Sequence, residues 1–134
     1  MMGCSRSGGT EHDFMIDGEN TGILTGHAYG FNSVFELKDE EMTNERKTHR
    51  LCVIRNPWGN KEWCLKWGAG SEELEKHADA IQSQYIDELE NEEKFDMNAD
   101  DGLFFMNYKS FRQVFNKLFV AVDFPDDWQA IRFH

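Results

Sequence analysis

The stretch KDEEMTNERKT at 38–48 is almost wholly polar, and it separates two segments rich in β-branched and aromatic residues. Upstream, ILTGHAYGFNSVFEL at 23–37 predicts one long strand or two short ones around Gly30. Downstream, HRLCVIRN at 49–56 predicts a strand that buries Cys52, Val53 and Ile54. A solvated connection between two such strands predicts an antiparallel hairpin. The second strand also has a sharp stop. Asn56 precedes Pro57, which has no N–H to give a sheet, and Trp58 and Gly59 follow.

The remainder fits around this hairpin. In NKEWCLKWGAG at 60–70, Trp63, Leu65 and Trp67 alternate with Cys64 and Lys66, which gives one apolar face closed by Gly68 and Gly70. Ser71 is placed to cap a helix, and Glu72 and Glu73 suit the positive end of its dipole. Leu74, Ala78, Ile81, Tyr85 and Leu89 then form an apolar stripe with an acidic outer face. His77 lies beside the stripe and reads as a partly exposed helix residue; DELENEE at 87–93 reads as a solvated helix end. DGLFFMNY at 101–108 predicts a turn at Asp101–Gly102 and a short strand. Asn107 is placed to cap a second helix, YKSFRQVFNKL, with Phe111, Val114, Phe115 and Leu118 on one face. KLFVAVDF reads as a final strand, stopped by Pro125. The sum is an α+β fold: mostly antiparallel β-sheet with two helices. The Gly- and Ser-rich residues 1–21 read as a flexible N-terminal segment or fragment start, and 125–134 as a C-terminal extension toward a following domain.

Charge narrows the function. With 14 basic and 25 acidic side chains the net charge is −11, which disfavours nucleic acid and anionic membrane as partners. No apolar run approaches the length of a membrane span, and MMGCSRSGG does not resemble a signal peptide. Cys4, Cys52 and Cys64 have no regular spacing, which argues for a reducing compartment rather than a disulfide framework. Cys52 reads as a plain buried thiol. There is no CxxC pair, no GxSxG elbow and no GxxxxGK loop.

GHAYGF at 26–31 is the second informative stretch. Gly26 and Ala28 leave room for another chain or a substrate to approach His27. Taken alone, a strand histidine is more often structural than functional. The hairpin changes this, because it can bring His27 and Asn56 onto neighbouring strands. An Asn side-chain carbonyl accepts a bond from an imidazole N–H and fixes its tautomer. Trp58 could cover that bond and keep water from it.

GHAY, then a strand ending in RNPWG, then an EW…W segment and DG-x-F-x-M before an aromatic helix, resembles the calpain cysteine proteases. The resemblance covers the second half of their papain-like catalytic core, over 22–124 and, through MMGCS, back to the strand that opens that half. It implies that His27 is the catalytic histidine, Asn56 the asparagine that orients it, and Trp58 the tryptophan that shields the pair. Cys4 corresponds to a structural thiol. The family's Gln-Gly-x-x-Gly-Asp-Cys-Trp stretch is not among the 134 residues, and the oxyanion-hole glutamine goes with it.

The resemblance therefore implies part of a calpain-type, cytoplasmic cysteine endopeptidase acting on proteins or peptides. Its nucleophile would lie in an upstream Cys-bearing half, its main partner, and the isolated chain would be inactive. The alternative is a non-catalytic calpain-like binding or regulatory module; a plain acidic scaffold domain is a third reading. The resemblance also implies a calcium site in two loops, with Glu62 and Asp101 matching two of its carboxylates. Ala69 and Leu103 stand where two more are expected. Backbone carbonyls and Asp100 compensate only in part, so calcium binding is expected to be weak or absent.

Overall fold

The computed structural model describes residues 2–43, 45, 47–59, 62–89, 97 and 101–120. Five strands form one antiparallel sheet: β1 (Met2–Ser5), β4 (Ala28–Lys38), β5 (Thr48–Arg55), β6 (Leu103–Asn107) and β7 (Lys117–Val120). Their order is β6-β5-β4-β1-β7. A separate two-stranded ribbon pairs β2 (Asp13–Ile16) with β3 (Glu19–Leu24). The helices are α1 (Glu72–Ile81), extended by a π-helical turn at Gln82–Ile86, and α2 (Tyr108–Val114). With two helices against mostly antiparallel strands, the fold is α+β, as the sequence predicts.

The hairpin predicted from the polar run is the β4–β5 pair, in register from Lys38 opposite Thr48 to Gly30 opposite Arg55. Asn32 is the extra residue of a bulge between Phe31 and Ser33. The unbroken apolar run of β5 follows from its position. Cys52 and Ile54 enter one core cluster with Tyr29, Trp63, Phe104 and Phe115, while Leu51 and Val53 enter another with Leu37, Trp67, Leu74 and Phe105. A strand covered on both faces has no solvent side, so it does not alternate.

Both expected caps are present. Ser71 Oγ accepts from Leu74 N–H at 3.2 Å, and Asn107 Oδ1 from Ser110 N–H at 2.7 Å. Four segments differ from expectation. Residues 1–21 are not a flexible segment throughout: Asp13–Ile16 and Glu19–Leu24 pair in the ribbon, and β1, the strand that the resemblance of MMGCS implies, sits inside the sheet between β4 and β7 and buries Cys4 completely. Its backbone is satisfied on both edges, a stabilisation that a short stretch of small residues does not advertise. α2 ends at Val114 rather than 118, because Phe115 turns extended and Lys117 re-enters the sheet against Ser5. Leu118 is accordingly 54 % exposed. On α1 the π-turn shifts the helix phase, so Ile86 is buried where the stripe pointed to Leu89. The segment 60–70 is not a strand among its described residues, although Trp63 and Trp67 are buried. Most of DELENEE, residues 121–124 of the expected final strand, residues 125–134 with Pro125, and Asp100 lie outside the described residues. Among the described residues, no helix is long and apolar enough to cross a membrane.

Candidate active site

Residues 56–59 form a β-turn in which Gly59 N–H donates to Asn56 C=O at 2.9 Å. Asn at the first position, Pro at the second and Gly at the fourth suit such a turn. Within it Trp58 N–H donates to Asn56 Oδ1 at 3.0 Å, an Asx turn. That bond fixes the side chain, since an amide nitrogen at that place would face a donor. Asn56 N–H donates to Gly102 C=O at 2.8 Å, which ties the turn to the loop before β6. Gly102 has a φ of +89°, and a Cβ there would lie 2.6 Å from Asn56 O. The glycine of the DG pair is therefore required for this approach.

His27 stands in the turn between β3 and β4, one residue before the strand rather than within it. Gly26 has a φ of +66° and donates its N–H to Arg6 C=O at 2.8 Å. Thr25 N–H donates to His12 C=O at 2.8 Å, so the loop between β1 and β2 holds the turn from the other side. Buried Tyr29 completes the frame: its hydroxyl accepts from Leu24 N–H at 3.0 Å, and its ring meets His27 edge-on at 5.0 Å between centroids. Burial pushes the Tyr29 hydroxyl pKa up, which keeps it neutral.

Because β4 begins beside the end of β5, His27 and Asn56 meet. His27 Nε2 lies 2.9 Å from Asn56 Oδ1. Since Oδ1 is an acceptor, Nε2 must carry the proton. A neutral His27 then keeps its lone pair on Nδ1, 3.9 Å from the Glu11 carboxylate. The pair is dry, with Asn56 fully buried and His27 9 % exposed. Trp58 lies against the imidazole, 4.2 Å between ring centroids, although its own side chain is 57 % exposed. His27 borders a cleft of about 310 Å³ that is also lined by Ser5–Gly9, Gly26, Ala28 and Lys117. Glu11 was not evident as a neighbour of His27 from the sequence, because a ribbon separates them along the chain.

The cysteines are poor nucleophiles as placed. Cys4 and Cys52 are buried, and loss of solvation pushes both pKa values to about 12. Burial also raises the pKa of the exposed Cys64, whose Sγ contacts Asn20 C=O at 3.2 Å. Among the described residues none of these thiols is hydrogen-bonded to His27.

Glu62 and Asp101 come to adjoining loops. Glu62 Oε1 accepts from Gly102 N–H at 2.8 Å, and Asp101 Oδ1 from Leu103 N–H at 3.0 Å. Each carboxylate thus spends an oxygen on loop backbone. Among the described residues they do not join a third His, Cys, Asp or Glu in a convergent set.

Residues 1–122 match the family model described as calpain family cysteine protease. Calpain-13 of Rattus norvegicus is 28% identical over 122 residues, 84% of this chain and 16% of that protein. The calpain-1 catalytic subunit of Gallus gallus is 33% identical over 104 residues, 78% of this chain and 13% of its own length. The calpain-type cysteine protease DEK1 of Arabidopsis thaliana is 29% identical over 107 residues, 79% of this chain and 4% of its own. The chain thus spans at most 16% of these relatives.

Proposed function

The chain belongs to the calpain family of cysteine proteases, and from that premise we propose that it supplies the histidine and asparagine of a cysteine endopeptidase site. The nucleophilic cysteine would come from an upstream half of the core. The observation that carries this reading is the 2.9 Å contact between His27 Nε2 and an Asn56 Oδ1 already oriented by Trp58 N–H. A purely structural histidine has no need of an acceptor so arranged.

The chemistry follows from the tautomer. With Nε2–H held by Asn56, Nδ1 is free to take the proton of a thiol presented across the cleft. The imidazolium and thiolate then stabilise each other. The thiolate attacks the peptide carbonyl carbon, and Nδ1–H gives its proton to the departing amine. Nδ1 next takes a proton from the water that cleaves the thioester. Asn56 keeps the ring aimed throughout, and the Trp58 indole limits access of water to the bond between them. Proteins or peptides are the proposed substrates. A cytoplasmic location is part of the proposal; three cysteines without regular spacing and the family support it.

The test is complementation. The chain is produced together with the Cys-bearing half of a calpain core, and hydrolysis of an unfolded protein is followed. Cleavage is expected, and His27→Ala should reduce it by about 10⁴-fold with the circular dichroism unchanged. Assembly of the halves without cleavage would instead favour the second reading, a non-catalytic binding or regulatory module. That reading draws on Ala69 and Leu103 standing where carboxylates are expected. We also expect calcium to bind this half weakly or not at all. Calorimetric titration that found micromolar binding, lost in Glu62→Gln, would contradict this.

A further inference from the structure

Away from the cleft, three chemically complementary side chains converge from three elements. Asp39 follows β4, His49 lies in β5 and His77 lies on α1. His49 Nε2 is 2.8 Å and His77 Nε2 3.1 Å from the same oxygen, Asp39 Oδ2. The three donor atoms all lie within 4.8 Å of one another. Their side chains are 12–17 % exposed. The buried Trp67 indole packs on both imidazoles, at 4.9 Å and 5.0 Å between centroids.

The outer contacts decide what the cluster offers. Asp39 Oδ1 accepts from Glu41 N–H at 3.1 Å, so the carboxylate is aimed and presents Oδ2 alone. His77 Nδ1 lies 2.9 Å from Glu73 C=O. A carbonyl cannot donate, so Nδ1 carries the proton and a neutral His77 turns its Nε2 lone pair toward Asp39. Two lone pairs facing each other at 3.1 Å need a positive charge between or on them. A metal ion supplies it, and so does a second proton on His77. An imidazole whose other nitrogen donates to a backbone carbonyl is also how metal-bound histidines are held.

We propose that His49 Nε2, His77 Nε2 and Asp39 Oδ2 form a zinc site that joins α1 to the β4–β5 hairpin, with water in the fourth position. Two imidazoles and one carboxylate are a ligand set suited to Zn²⁺, and three protein ligands leave a place open. Bond lengths near 2.1 Å set tetrahedral donors about 3.4 Å apart, so each imidazole nitrogen need draw back from Asp39 Oδ2 by only about 0.3–0.6 Å, and the two nitrogens, within 4.8 Å of each other, settle at the same spacing. The set is independent of Glu62 and Asp101, whose hard oxygens suit another class of ion.

Cobalt(II), which reports its coordination through visible absorption, is titrated into the metal-free 134-residue chain and then displaced by zinc. The expected result is one equivalent bound, with the intense bands of a four-coordinate centre, and a thermal midpoint raised by zinc. His77→Gln should weaken zinc binding by about a hundredfold or more. His27→Ala should bind as the unsubstituted chain does. Absence of the cobalt bands from the unsubstituted chain overturns the proposal even if the His77 variant does not fold. So does zinc binding that His49→Gln and His77→Gln leave unchanged; in either case His77 is held by a second proton as an ion pair.

Discussion

His27 and His77 are both shielded imidazoles with a tryptophan on one side, yet their partners differ in kind. His27 donates to an amide, which aims the ring without bringing a charge to that nitrogen, and the Glu11 carboxylate stands off at 3.9 Å from the other. His77 faces a carboxylate that His49 also uses, and its second nitrogen is engaged by Glu73. The first arrangement leaves one nitrogen facing a cleft. The second uses both nitrogens internally. An orienting amide permits the imidazole to change its protonation state during a reaction, whereas a shared carboxylate favours a fixed positive partner. Chemistry that moves a proton suits the former, and a clamp between elements suits the latter.

This contrast can be broken at its frame. Tyr29→Phe removes the acceptor of the buried Leu24 N–H beneath the His27 turn. A loss of about 1–3 kcal/mol in unfolding free energy is expected from urea titration, because a buried donor is left without its bond. A neutral outcome would mean that the turn is not held by its buried network. A smaller effect sharpens the other side. Its two histidines and the Glu41 amide hold the Asp39 carboxyl well below the usual carboxylate range. A depressed folded pKa contributes stability above the unfolded value near 4, and that contribution is lost as pH falls through the folded value. With chelator present, Asp39→Asn should unfold more easily than the unsubstituted chain at about pH 5, and the gap should narrow as pH falls toward about 2. An undiminished gap would show that the Asp39 charge is not what binds the cluster.

Much of the hinge of the candidate site was legible in the sequence, for a physical reason. The polar run at 38–48 forces a hairpin, and the hairpin brings the start of β4 to the end of β5, where His27 and Asn56 stand. Asn-Pro-Trp-Gly names its own turn, and Ser71 and Asn107 name their helices. These are local signals. The zinc cluster has none. Its residues come from a loop, a strand and a helix, and His77 taken alone looks like a helix-surface residue. β1 was legible only through the resemblance of MMGCS to the family's opening strand and hidden from residue pattern, because its worth is backbone pairing on two edges, which side chains report weakly. The early end of α2 was hidden because sheet pairing with β1 overrides the helical spacing of Phe111, Val114 and Phe115.

The tautomer of His27 most directly tests its role as an imidazole aimed by Asn56. Long-range nitrogen–proton NMR correlation of the histidine side chains in the chain distinguishes Nε2–H from Nδ1–H. His27 is expected in the Nε2–H form with a slowly exchanging ring proton, and that preference is expected to be lost in Asn56→Ala. A His27 protonated at Nδ1, or one that divides evenly between the two forms in the unsubstituted chain, would contradict it.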